Sequence, residues 1–133
     1  MVPVLRSKTL SVSIDCPPER VCGFVSNPEN LPKWAKAFCR SVRRSQGEWI
    51  VETPAGAMSI RFVGANAFGV LDHFVSPVPG LEIMNPMRAV PIGYGSEVIF
   101  TLFQLPNMSE EEYAKDVGLV DRDLHTLKAL LEA

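Results

Sequence analysis

LSVSIDCPPERVCGFVSNPENLPKWAKAF, residues 10–38, is the stretch that decides the fold. Its first residues, Leu10, Val12 and Ile14, alternate with polar ones, and this period of two predicts a strand with one buried face. A double proline at 17–18 ends the extended pattern and suits the first turn of a helix. The stretch therefore predicts a strand that leads directly into helix.

The helical part of this stretch has two short segments. The first has apolar residues at spacings of three and four, which are Val21, Phe24 and Val25. Asp15 is the predicted cap of this segment. Prolines within 27–32 interrupt the helix, and a second amphipathic turn follows that contains Trp34 and Phe38. Two short helices of this kind, placed directly after a first strand, are expected to lie across the mouth of a sheet.

The middle of the chain predicts a meander of six further antiparallel strands. Short extended runs separated by Gly, Pro and Asn signals occupy 39–45, 49–53, 58–63, 70–75, 81–90 and 97–104. Each connection has a length that suits a hairpin or a short loop. Together with the first strand, these runs predict one curved seven-stranded antiparallel sheet.

The last segment, 109–133, predicts a long helix. Ser109 and Glu112 have the spacing of a capping box, and the acidic residues of the first turn favour the positive end of the helix dipole. An apolar stripe at helical spacing consists of Tyr113, Val117, Val120, Leu124, Leu127 and Leu131. Because such a stripe must be buried, we predict an α+β fold in which this helix packs across the concave face of the sheet.

The composition limits the possible classes of protein. A chain of 133 residues with 47% hydrophobic and 21% charged residues fits a single globular domain, predicted to span 1–133. The net charge of −2 argues against nucleic-acid binding. No apolar run reaches the roughly 18 residues of a membrane span, and no leader pattern is seen, so we expect a cytoplasmic protein that does not insert into membranes. The spacing of cysteines and histidines suggests neither a metal nor a cofactor.

His73 is the candidate for acid–base chemistry, since the pKa of a free imidazole lies near neutrality. Asp72 is its neighbour, but adjacent residues of a strand point to opposite faces, so Asp72 does not orient the His73 ring. If His73 faces an interior cavity, it can bind or protonate a ligand; otherwise it is a solvent-facing or core histidine. The catalytic residues therefore stay unknown, with His73 as a weak candidate.

Arg88 is the second polar candidate. If the hairpin pairs positions that sum to 185, Arg88 lies opposite Glu97, and inside a cavity the pair would anchor a carboxylate or carbonyl. The alternative is an exposed ion pair worth less than about 1 kcal/mol. Three aromatic residues at the ends of the predicted helices, Trp34, Phe38 and Tyr113, are expected to line a pocket or to be plain core residues.

The order of elements resembles the helix-grip fold of the START-like or SRPBCC superfamily, which includes polyketide cyclase/dehydrase-like and birch-pollen-allergen-like proteins. The resemblance is carried by 14–21 with 24–25, by the NPENLPKW motif at 27–34, and by 95–98 with 100–102. It implies a deep apolar cavity between the sheet and the last helix, but no particular reaction, since the superfamily has many functions. The short chain favours a ligand of modest size.

Three functions follow as hypotheses. The first is a carrier or sensor that binds a small hydrophobic, aromatic or mixed-polarity ligand in the cavity, with Trp34, Phe38, His73, Arg88 and Tyr113 as ligand-binding residues. The second is a cyclase/dehydrase-like enzyme acting on a carbonyl-containing substrate, in which His73 or Arg88 polarises the carbonyl. The third is a co-chaperone-like module that binds a protein through the outer sheet face. A homodimer is compatible with each of them.

Overall fold

The computed structural model of the protein describes residues 3–133, so the first two residues of the predicted domain lie outside the described part. The elements, in chain order, are β1 (Ser7–Ile14), α1 (Pro18–Val25), a 3₁₀ turn (Pro28–Asn30), α2 (Leu31–Trp34), β2 (Ser41–Ser45), β3 (Glu48–Thr53), β4 (Gly56–Phe62), β5 (His73–Ser76), β6 (Ile83–Asn85), β7 (Met87–Ile92), β8 (Gly95–Phe103) and α3 (Glu110–Glu132). This α+β order matches the predicted one, with an additional strand.

The strands form two antiparallel sheets, and the prediction of a single seven-stranded sheet is wrong. One sheet has three strands in the order β1-β8-β7, and the other has five in the order β2-β3-β4-β5-β6. The run predicted as one strand at 81–90 is divided at Pro86 into β6 and β7. Proline has no N–H to donate to a strand ladder, so the division falls where the chemistry of the backbone requires it.

The two sheets are joined next to this break. The Leu71 N–H donates to the Met87 carbonyl at 2.8 Å, and the Ala89 N–H donates to the Gly69 carbonyl at 2.9 Å. The Asp72 carboxylate accepts the Met87 N–H at 2.9 Å. The segment that precedes β5 therefore pairs with β7, and of the strand predicted at 70–75 only residues 73–75 join the five-stranded sheet, as part of β5.

The short helices follow the proline signals. Helix α1 begins after Pro17 without a side-chain cap, so the prediction that Asp15 caps it is wrong. The Asp15 N–H instead donates to the Glu132 carboxylate at 2.8 Å, which ties the end of β1 to the end of α3. The Asn27 side chain accepts the Glu29 N–H at 3.1 Å and caps the 3₁₀ turn.

Helix α3 begins at the predicted capping box. The Glu112 N–H donates to the Ser109 hydroxyl, and the Glu112 carboxylate accepts the Ser109 N–H. The helix packs on β1 and α2, and Lys128 Nζ donates to the Ser13 carbonyl at 2.7 Å. No helix within residues 3–133 combines the length and the apolar character that crossing a bilayer requires.

Candidate functional site

The middle of α3 is covered less completely than its ends. Tyr113 near the start and Leu124 and Leu127 further along are almost completely buried, with at most 3% of each exposed. Val117 and Val120, on the same stripe, are only partly buried. Both valines pack against the core, and this part of the apolar face of α3 therefore keeps some exposed surface.

The inner face of the five-stranded sheet also carries apolar side chains that are only partly buried. Met58 and Phe62 each lie two positions from the buried Ile60 on β4 and so share its inward face, yet both are only partly buried. Phe38, which follows α2, is also half-buried against the core. We call this group of half-buried apolar side chains, which pack against the core, the inner cleft; its residues are Phe38, Met58, Phe62, Val117 and Val120.

His73 faces inward on β5 and is 7% exposed. Its ring lies 4.9 Å from the Phe62 ring, and the Phe100 ring of the other sheet meets it edge-on at 5.5 Å. The Nδ1 atom lies 3.1 Å from the Leu71 carbonyl, and because a carbonyl only accepts, Nδ1 carries the proton. Nε2 is then a lone-pair acceptor, and it has no hydrogen-bond partner among the described residues.

Burial lowers the pKa of His73 below that of a free histidine. The hydrogen bond to the Leu71 carbonyl and the negative charge of Asp72 act in the opposite direction, but burial is the largest contribution. His73 is therefore an uncharged imidazole at neutral pH. An acceptor nitrogen of this kind binds a hydroxyl or an N–H, and it can also accept a proton from a substrate.

Trp34 supplies a hydrogen-bond donor, whereas Nε2 of His73 is an acceptor. Its side chain is 4% exposed, and its indole N–H is the buried side-chain group that finds no hydrogen-bond partner within residues 3–133. Buried indole N–H groups are normally hydrogen-bonded, so this donor lacks an acceptor that a water or a ligand oxygen would supply. Sequence analysis singled out this residue as an aromatic side chain that lines a pocket or belongs to the core.

Asp123 positions the chain that follows Trp34. Its carboxylate accepts the Ala37 N–H at 3.0 Å and so holds the turn that carries Phe38 against α3. Burial raises the pKa of Asp123, and burial also raises that of Asp116, which lies on the same helix face and is half-buried. The sequence analysis did not identify Asp116 or Asp123 as site residues. The available signal was two acids, seven positions apart, beside the apolar stripe of α3.

Tyr113 is a satisfied core residue. It is 3% exposed, its hydroxyl donates to the Leu102 carbonyl at 2.9 Å, and the Arg6 guanidinium lies 5.2 Å from its ring centroid. The tyrosine therefore packs in the core at the start of the apolar stripe, and its hydroxyl proton is already donated to Leu102.

Arg88 lies away from the inner cleft. It is exposed on the outer face of β7, and its Nη2 donates to the Phe68 carbonyl at 3.1 Å. The hairpin pairs Arg88 with Ile99 and Val90 with Glu97, so the considered register that sets Arg88 opposite Glu97 is not observed. The structure thus brings His73 and Phe62 together, and it leaves Arg88 outside.

Two pockets of the structure are open depressions on the surface. One, of about 810 Å³, lies between the 3₁₀ turn and the edge strand β2, and the other, of about 780 Å³, lies on the outward face of α3. Neither is an enclosed space between the sheets and α3, so the deep cavity implied by the resemblance stays a prediction. Within the described part of the chain, no three His, Cys, Asp or Glu side chains converge to hold a metal ion.

Solved structures of similar shape identify the fold. The protein XoxI from Bacillus cereus is 19% identical with a TM-score of 0.75, and the match covers 96% of both chains. Ara h 8.0201 is 13% identical with a TM-score of 0.70, over 96% of this chain and 98% of that one. The Zhui aromatase/cyclase from Streptomyces sp. R1128 is 13% identical with a TM-score of 0.67, over 97% and 94%.

These structures confirm the helix-grip fold that the sequence resembles. No family model matches the sequence, and no curated protein does either.

Proposed function

We propose that this helix-grip protein binds a small, largely apolar or aromatic ligand in the inner cleft. One observation carries the proposal: apolar side chains on the inner face of β4 and on the apolar face of α3 are only partly buried, although both groups pack against the core. A ligand that covers such half-exposed apolar surface is stabilised by about 25 cal/mol for each Å² of apolar area removed from water.

Two polar atoms in the interior of the protein suggest which ligands fit. His73 offers an uncharged acceptor at Nε2, and Trp34 offers an unpaired N–H donor. A buried polar atom without a partner costs free energy, so a ligand that pairs with it binds better than one that does not. An aromatic ring would cover the apolar side chains, and a hydroxyl on that ring could donate to Nε2 of His73.

A matched pair of probes tests the proposal by isothermal titration calorimetry. We expect naphthol to bind more tightly than methoxynaphthalene, by about threefold to tenfold, because only the hydroxyl can donate to Nε2 of His73. His73→Phe should remove this difference while leaving the binding of methoxynaphthalene largely intact. Equal affinities of the two probes for the unmodified protein would show that His73 does not face the ligand.

A substitution that fills the cleft tests its location. Val117→Trp should weaken the binding of both probes by at least about tenfold, because the larger side chain occupies the proposed space. Leu130→Trp is the matched control, since Leu130 lies on the outward side of the same helix and is 40% exposed. Unchanged affinity in Val117→Trp would refute the inner cleft as the binding site.

A second candidate function is a cyclase-like enzyme that acts on a carbonyl-containing substrate. The favouring observation is His73, an uncharged imidazole on the inner face with Nε2 free to take a proton. In this case His73→Gln should keep the affinity for a linear polyketone thioester and abolish its conversion, measured by mass spectrometry of the products. A purified protein that binds the thioester and leaves it unchanged is a carrier or sensor.

A further inference from the structure

The open depression beside β2 has no role in the proposed function. It lies between the 3₁₀ turn with α2 and the edge of the five-stranded sheet, and we call it the basic groove; its principal residues are Pro32, Arg40, Val42, Arg43, Arg44 and Trp49. We propose that the basic groove binds an acidic peptide segment that pairs as an additional strand with β2.

The charges of the groove favour an acidic partner. Three arginines lie within five residues, and Arg40 makes no salt bridge within the described part of the chain. The Arg44 guanidinium lies 5.0 Å from the Trp49 ring centroid, which holds the cation above an apolar floor. Arg43 is paired with Glu52, and Glu29 is the acidic residue that lines the groove, so the groove keeps a positive excess.

The position of β2 favours an extended partner. It is an edge strand, and β3 is the one strand that pairs with it, so its other side is open to a further strand apart from the Ser41 carbonyl, which accepts the Cys39 thiol at 3.3 Å. An extended peptide can add to such an edge, with main-chain hydrogen bonds giving affinity and alternate side chains giving specificity. Val42 and Trp49 provide apolar surface for every second side chain of that peptide.

The shape of the groove argues against a small molecule. Small-molecule sites typically bury about 70–90% of the ligand, and this depression is too open to do so. Three arginines on a chain of net charge −2 are also a small footprint for a nucleic-acid backbone. An acidic peptide that gains backbone hydrogen bonds in addition to ion pairs fits the observations better than either.

Fluorescence anisotropy with a fluorescein-labelled heptapeptide that alternates glutamate with valine tests the proposal. We expect saturable binding that weakens with added salt, and no binding of the same peptide with lysine in place of glutamate. The double variant Arg40→Glu/Arg44→Glu should weaken binding by at least about tenfold. Lys8→Glu/Arg20→Glu changes the net charge equally at exposed positions away from the groove and should bind as the unmodified protein does.

Strand addition is tested separately from charge. A glutamate–valine peptide with N-methyl groups on alternate amides keeps its charge but loses half of its backbone donors, and its affinity should fall by at least about tenfold. In ¹⁵N–¹H NMR spectra, the unmodified peptide should shift the amide signals of 40–49, and spectra of both double variants establish that they are folded.

Three outcomes would overturn the proposal. Equal binding of the N-methylated peptide would exclude strand pairing. Displacement of the peptide by millimolar phosphate or benzoate that binds the groove alone would assign it to small anions. Self-association in light scattering that Arg40→Glu/Arg44→Glu abolishes would assign the groove to a second copy of this chain. None of these outcomes bears on the inner cleft.

Discussion

The inward side chains of the three-stranded sheet are mostly buried, whereas several of those on the five-stranded sheet are only partly buried. Ile14 and Val98 of the three-stranded sheet, together with Leu127 of α3, are at most 1% exposed. On the five-stranded sheet Trp49, Met58 and Phe62 face inward but are only partly buried. The most completely buried of these residues therefore lie in one half of the molecule, and the other half presents the partly buried surfaces on which the proposed binding sites depend.

Truncation of a side chain in each half tests this difference most strongly. Leu127→Ala should lower the free energy of unfolding by about 3 kcal/mol, because it leaves a cavity in the fully buried part of the core. Val117→Ala, on the same helix but at the cleft, should cost less than about 1 kcal/mol. Urea unfolding of the two variants provides the comparison, and equal losses would mean that the two regions are packed alike.

The junction of the sheets should be sensitive to a single methyl group. Gly69 has φ +72°, and a Cβ there would lie 2.2 Å from the Ala89 carbonyl oxygen. Gly69→Ala should therefore lower the free energy of unfolding by at least about 2 kcal/mol through backbone strain and the loss of pairing to β7.

Gly118→Ala is the matched control, because a Cβ at this helical position meets nothing within 4 Å. It should raise the stability by up to about 1 kcal/mol. A Gly69→Ala variant as stable as the unmodified protein would show that the close approach of Gly69 to β7 is not required.

His73 connects the two halves through its contacts with Phe62 and Phe100, and its titration gives the smallest expected effect. Because its pKa is lowered in the folded state, the unfolded chain binds the proton more readily. Stability is thus fully present above about pH 6.5 and declines as the pH falls below it, by at most about 1.4 kcal/mol per pH unit.

This part of the slope should disappear in His73→Phe and persist in His125→Phe, since His125 is exposed on α3. Chemical unfolding between pH 5 and 8 measures it. A slope that is identical in the two variants would contradict the burial of a neutral imidazole at this position.

The sequence predicts the features that depend on neighbouring residues. The strand ending at Ile14, the proline breaks and the capping box at Ser109 are all local, and all are observed. The division at Pro86 was also readable, because a proline within a run that otherwise resembles a central strand argues against that assignment. The hairpin register was not, because a shift of two positions in a turn with several glycines changes every cross-strand partner.

The candidate site was less predictable, because it depends on contacts between distant parts of the chain. Whether the Trp34 indole is left without an acceptor, or whether α3 covers Val117 as fully as Leu127, follows from how the layers pack and not from spacing. The inward orientation of His73 was one of two open alternatives, and the burial of the neighbouring strands decides it.

The pairing of β1 with β8 has a consequence for synthesis on the ribosome. Ser7 pairs with Phe103, and the start of β1 therefore waits for nearly a hundred residues before its partner exists. The strands of the five-stranded sheet follow one another along the chain and can form hairpins as they emerge. We expect nascent chains that end before β8 to expose the apolar face of β1, and so to depend on chaperones until α3 leaves the exit tunnel.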